Sequence, residues 1–185
     1  MNMTVFDIKN LLPQSEPDTQ KVIQWIDRYG EALLTRMEEG HLTASSFIFN
    51  AFRTKILMVY HNIYQSWSWT GGHADGNADL KAVALKEATE ETGVTDFRFI
   101  DDSICAVDIL PVQAHIKHGK PVKEHVHLNI CYALECDENA LLRIKPDENS
   151  GVAWIDLSDW KSRVSENDKL MIPIYEKIIC KYTQF

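Results

Sequence analysis

The segment Leu80–Thr92, LKAVALKEATEET, carries three glutamates where an ordinary helix has little use for them. On a helical wheel turning about 100° per residue, Leu80, Val83 and Ala84 share an arc roughly 120° wide with Glu87, Glu90 and Glu91. The acids therefore extend the apolar stripe, whereas a solvated charged face lies opposite it. Like charges three and four residues apart repel by a few tenths of a kcal/mol even in water. Partial burial strengthens the repulsion and raises each group's pKa. A divalent cation offsets that cost. Magnesium takes oxygens from one or two carboxylates and completes its shell with water and substrate phosphates. The bland alternative is a helix that carries acids for solubility.

The flanks of this helix weigh against the bland reading. Asn77 or Asp79 can cap its start, and Gly93 stops it. Gly71 and Gly72 stand just before it, where the backbone can turn sharply and approach a ligand. A helix N-terminus beside that turn favours anions such as phosphate.

The rest of the chain reads as strands framed by helices. Val22, Trp25, Ile26, Tyr29 and Leu33 form one stripe in a helix predicted over residues 16–38. Ser15 or Asp18 caps it and Gly40 ends it. LTASSFIFNA and TKILMVYH then read as a hairpin turning near Asn50–Thr54. The second run is expected to continue through NIYQSWSW to the glycine pair. FRFIDDSICAVDIL supplies one or two strands, HVHLNICYALEC and GVAWIDL are further strands, and AHIKHGKPVKE, with Gly119 and Pro121, is a loop or hairpin tip. A short helical turn begins at Ser158 or Asp159. A last helix from about Asp168 to Tyr182 points Leu170, Ile174, Ile178 and Ile179 inward. The order predicts an α/β fold, a mixed sheet between helices. Strict βαβ alternation, GxGxxG and GxxxxGK[ST] are all missing.

Composition narrows the function. A length of 185 residues suits one domain with a small added segment, here an N-terminal helical extension (1–40) before a main domain (41–185). The extension is expected to cover a sheet edge or to mediate a homodimer. A net charge of −8 disfavours a nucleic-acid polymer as partner. A phosphate-bearing small molecule stays compatible with it, because a cation can supply positive charge. No apolar run reaches the roughly 18–20 residues of a membrane span, and no basic start precedes an apolar core as in a secretory signal. These features point to the cytoplasm. Cys105, Cys131, Cys136 and Cys180 lack CxxC spacing and read as free thiols.

The stretch Gly72–Val94 resembles the Nudix box, G-x5-E-x7-R-E-U-x-E-E-x-G-U with U aliphatic. Gly72, Glu87, Ala88, Glu90, Glu91, Gly93 and Val94 match at the family spacing. HLTASSFIF, KILMVYH, WTGGH, VDILPV, EHVHLNICYAL and GVAWIDLSDW resemble the flanks of one bacterial Nudix subfamily, so the likeness covers roughly residues 41–160. Two positions depart. The first glutamate of the box is Ala78 and its arginine is Lys86. Lysine keeps the charge but cannot make the bidentate fork, and Asp79 is a candidate replacement for the missing acid.

The resemblance implies a Nudix-like α/β/α sandwich and a metal-dependent pyrophosphohydrolase acting on a nucleoside diphosphate linked to another group. Mg2+, or Mn2+, is expected between Glu87, Glu90, Glu91 and a backbone carbonyl at Gly71 or Gly72. The base that activates water is Glu87 or Glu90 on the helix, or Glu148 from a later loop, with Glu138 and Glu124 as weaker candidates. His73, Trp69, His127 and Lys86 are candidate substrate contacts. For the histidines a structural role is the bland reading, and for Trp67 and Trp69 a place in the core. His125, His127 and Asn129 alternate on one strand and share a face. Two other classes compete: a Nudix-fold binding or regulatory module with weak or no turnover, and a prenyl diphosphate isomerase, whose cysteine and altered box are not seen.

Overall fold

The computed structural model describes residues 3–117 and 120–183; Gly119 lies outside them. Two helices come first, α1 (Val5–Leu11) and α2 (Thr19–Tyr29), followed by a 3-10 turn over Gly30–Leu34. The single helix predicted for residues 16–38 is thus shorter. Gly30 stops it, with φ at 54° and its N–H on the Ile26 carbonyl. A side chain there would be strained. Gly40 begins the next strand instead of ending the helix.

Among the described residues nine strands follow. They are β1 (Gly40–Asn50), β2 (Lys55–His61), β3 (Ser66–Ser68), β4 (Thr70–His73), β5 (Arg98–Val112), β6 (His115–Lys117), β7 (Lys120–Val122), β8 (His125–Cys136) and β9 (Asn149–Asp156). Helix α3 (Leu80–Thr92) lies between β4 and β5; α4 (Trp160–Arg163) and α5 (Ile172–Thr183) come last. The main sheet runs β3-β2-β1-β8-β5, with β4 also paired to β1 and β9 to β2. It is mixed, because β1 and β8 pair in parallel from Gly40↔Val126 to Asn50↔Cys136 while their other neighbours are antiparallel. β6 and β7 form a separate hairpin.

The first hairpin turns as expected. Asn50 Oδ1 accepts the Thr54 and Lys55 N–H groups at 2.9 and 3.0 Å. A second hairpin replaces the predicted continuous run: β2 turns back into β3, with Val59 opposite Ser68 and Gln65 at φ 49°.

Alternation along β1 gives the sheet two apolar faces. Leu42 and Ala44 pack with Val5, Ile8, Val22 and Ile26 of the N-terminal helices and with Leu80, Val83 and Ala84 of α3. Phe47 and Phe49 face the other way, against Trp160, Tyr175 and Ile178. The result is an α/β/α sandwich with helices on both sides of a mixed sheet. The N-terminal helices share an apolar cluster with the sheet. They also close its β5 edge. Glu16 accepts the Val107 N–H at 3.3 Å, and Asp18 accepts the Ile109 N–H at 3.1 Å. No helix among the described residues is long and apolar enough to cross a membrane. All four cysteines are free, three buried and Cys180 exposed.

The last helix differs from expectation at its start. Residues Glu166–Met171 form a 3-10 turn, and Leu170 is exposed. Tyr175 supplies the missing anchor. It is fully buried, touches Phe47, Trp69 and Trp160, and its hydroxyl accepts the Trp69 N–H at 3.2 Å. Tyr175→Ala should cost about 3–5 kcal/mol, read as a lower urea midpoint at unchanged slope. A midpoint near wild type would show that this core collapses around the cavity.

Candidate active site

The site is built where α3 meets the edge of β4. The Asp79 carboxylate caps α3 by accepting the Ala82 N–H at 3.0 Å, and Asn77 Oδ1 accepts the Asp79 N–H at 2.9 Å. Asp79 therefore serves the helix end. Ala78 itself is buried in the apolar cluster. Gly93 ends α3 in the left-handed region.

Glu87 and Glu91 are buried, continuing the stripe of Leu80, Val83 and Ala84. Glu91 is only 2% exposed, and its Oε1 accepts the Gly71 N–H at 2.8 Å. Burial pushes its carboxyl up to about 8, and the nearby Glu148 and Glu87 charges add to the rise against the lowering effect of Gly71. One oxygen from each of Glu87, Glu91 and Glu148 lies within 4.8 Å of the others. Glu148 comes from the loop before β9, where the later base is expected.

Glu90 stands outside this trio. It lies toward solvent, 2.9 Å from the Lys86 ammonium and 3.0 Å from that of Lys145. These bonds, Lys86 first, hold its carboxyl below the ordinary value. Lys86 also reaches Glu87 at 3.1 Å, so its charge is engaged by acids of its own helix.

Lys145 is a site residue the sequence reading missed. It bridges Glu90 and Glu148, each at 3.0 Å. Burial opposes its charge, but the two carboxylates outweigh that and raise its pKa. Its signal was a lysine three residues ahead of a loop acid. Asn149 was also missed. It is fully buried; its Nδ2 donates to the Glu91 carbonyl at 3.0 Å and its Oδ1 accepts the Lys145 N–H at 3.2 Å. This side chain fastens the Glu148 loop to α3.

Gly72 lies opposite Ala44 and so faces α3. A Cβ added there would stand 2.8 Å from both Cγ and Oε1 of Glu87. Gly72→Ala should therefore displace the Glu87 carboxylate while the fold holds, since a flexible side-chain end has to move. A 10–100-fold loss of metal affinity or turnover is expected, comparable with losing a group that orients a metal ligand. Activity and thermal stability measured together check this. A large fall in stability with metal affinity retained would contradict it.

The remaining candidates fall elsewhere. Trp69 is buried in the second apolar cluster, its ring 5.3 Å from that of Tyr175. His73 and His127 stand on the other side of β4, beside His41 and His125. Glu138 is bound to Asn50 at 2.8 Å, next to the first hairpin turn. Arg36, from the N-terminal segment, makes a two-pronged bond to Asp75 at 2.8 Å per contact. That bond raises its pKa, and the Glu87 and Glu148 charges contribute.

The NUDIX domain family model matches residues 40–176. The chain belongs to the NUDIX family. Its class is that of a hydrolase acting on phosphoanhydride bonds. An RNA pyrophosphohydrolase of Caulobacter vibrioides is 25% identical over 128 residues, covering 65% of this chain and 71% of the relative. Solved structures share the fold. The Ap4A hydrolase binary complex of C. elegans has a TM-score of 0.52 at 17% identity, covering 76% of this chain and 98% of that one. The NUDIX domain of Shewanella oneidensis NrtR, complexed with ADP ribose, has a TM-score of 0.55 at 16% identity, covering 87% and 98%. In this NUDIX chain the box glycine and two box glutamates frame the trio, and the loop before β9 completes it.

Proposed function

We propose that this chain is a divalent-metal-dependent pyrophosphohydrolase that cleaves a small nucleoside diphosphate linked to another group. The observation that carries the reading is the meeting of Glu87, Glu91 and Glu148 within 4.8 Å, two of them buried. Three acids this close, one with its carboxyl pushed up to about 8, need a positive partner to ionise together. The donor set is hard oxygen, which suits Mg2+ or Mn2+. Glu87 and Glu91 would hold the cation with a Gly72 backbone oxygen, and Glu90 would support them through Lys86. A bound cation neutralises pyrophosphate oxygens and lowers the pKa of water.

The protein's own groups do the rest. Glu148 takes the proton from the attacking water; Glu87 and Glu90 are the alternative acceptors on the helix. Lys145, held between Glu90 and Glu148, fixes the distance between helix and loop. Arg36 adds positive potential near the same carboxylates, which favours a phosphate approaching them. The net charge of −8 makes a small nucleotide a better fit than a polymer.

Ala78 in the core and Lys86 in place of arginine favour a second reading, a ligand-binding module with weak turnover. Phosphate release should be followed with Mg2+ on ADP-ribose, diadenosine tetraphosphate, nucleotide sugars, oxidised dNTPs and a 5′-triphosphate RNA. Turnover of one small dinucleotide or nucleotide sugar, abolished in Glu91→Gln, is expected. Binding without turnover, unaltered in Glu91→Gln, supports the module instead.

A further inference from the structure

Strand β4 has two faces, and the glutamate site uses only one. Gly72 opposes Ala44 and meets Glu87, whereas His73 opposes Thr43 on the reverse face. His41 lies two residues before Thr43, on that same reverse face. The parallel register then sets His127 directly beside His41, and His125 is two residues earlier on β8. Three strands thus deliver four imidazoles to one place. The His41 ring centre is 5.0 Å from each of the other three.

The nitrogens converge. One from each of His41, His73 and His127 lies within 4.8 Å of the other two. His125 Nε2 is 3.2 Å from His127 Nε2. Two nitrogens about 2.0–2.1 Å from a tetrahedral zinc stand roughly 3.3 Å apart, so that last separation already matches an edge of such a site.

His41 supplies the independent observation. It is 4% exposed. Its Nδ1 donates to the Met37 carbonyl at 3.0 Å, which fixes the tautomer and leaves a lone pair on Nε2. That Nε2 is buried and has no hydrogen-bond partner. A buried acceptor without a partner is costly. A cation would satisfy it. His125 is held the same way, its Nδ1 on the Lys123 carbonyl at 2.9 Å, so its Nε2 faces His127 as an acceptor. A backbone carbonyl behind each ring is how metal-binding imidazoles are commonly oriented.

We propose that His41, His73 and His127, joined by His125, form a second metal site for one divalent transition cation of the zinc class. Its nitrogen donors separate it chemically from the carboxylate trio, since imidazole suits zinc, copper and nickel while magnesium keeps to oxygen. The cation ties β1, β4 and β8 together. It steadies His73, and with it the neighbouring Gly72 that seats Glu87.

The test uses the 185-residue chain stripped with a chelator and dialysed against Zn2+ in excess Mg2+, so that magnesium occupies the carboxylates. One zinc per chain is expected by elemental analysis. His41→Gln and His73→Gln should each weaken zinc binding at least 100-fold, and Glu91→Gln should leave it intact. His73 is only partly buried, so its variant guards against a fold failure at His41. Co2+ added to the wild type gives a readout that needs no variant: visible absorption of a tetrahedral nitrogen-rich site. The proposal is overturned if zinc is lost in Glu91→Gln and kept in both histidine variants. It is equally overturned if no zinc survives the magnesium competition.

Discussion

Glu148→Gln is expected to lower kcat by about 10²–10⁴-fold, the usual worth of a positioned general base, with a much smaller change in KM. Glutamine keeps the shape and the loop but cannot accept a proton. Glu148 is the member of the trio best placed for this work. Glu91 is sunk in the core with its oxygen on the Gly71 N–H, and Glu87 is wedged against Gly72. Glu148 comes from the loop before β9, is partly exposed, and is steered by Lys145 at 3.0 Å. Loss of kcat with Mg2+ affinity retained in this variant would mark the proton acceptor. If kcat stays near wild type while the Mg2+ requirement rises, Glu148 is a cation ligand and the proton goes to Glu87 or Glu90.

The largest stability effect should come from Glu91 and depend on pH and metal together. Its carboxyl is pushed up to about 8 in the folded chain, from an ordinary 4.5. Between those values the native state keeps a proton that the unfolded chain has released. Stability without metal therefore falls as pH rises through this window, by up to about 1.4 kcal/mol per pH unit. Below about 4.5 the penalty is absent, and above about 8 it is complete. Thermal unfolding in chelator from pH 5 to 9 should show the decline, and Glu91→Gln should flatten it. Asp168, raised to about 6 by burial, contributes a smaller decline of the same sign, which the variant leaves in place. Magnesium should suppress the Glu91 part and release close to one proton per ion near pH 7. Proton release that is no different in Glu91→Gln would rule out this coupling.

Much of this was legible because one physical oddity, acids on an apolar stripe, demanded an explanation. The helix wheel placed Glu87 and Glu91 correctly without any neighbour being known. It placed Glu90 too deep, because an arc about 120° wide does not say which of its edges meets water. Lysines at 86 and 145 decide that, and Lys145 reaches Glu90 from a loop 55 residues away in sequence. The hairpin at Asn50–Thr54 was readable from local turn chemistry. The β2–β3 hairpin was not, because its turn residue is Gln65, with neither glycine nor proline beside it. The imidazole cluster was invisible for a different reason. His41 and His127 meet only through the parallel register of β1 and β8, and nothing local sets a pairing across so many residues.

The N-terminal helices carry a consequence for how this protein fails. The family match begins at residue 40, yet Val5, Ile8, Val22, Ile26 and Leu33 cover one face of the sheet. Proteolysis between Thr35 and Glu39 would strip that cover and leave a broad greasy surface in water. The remaining fragment would clump, so damage to this segment would register in a cell as falling abundance.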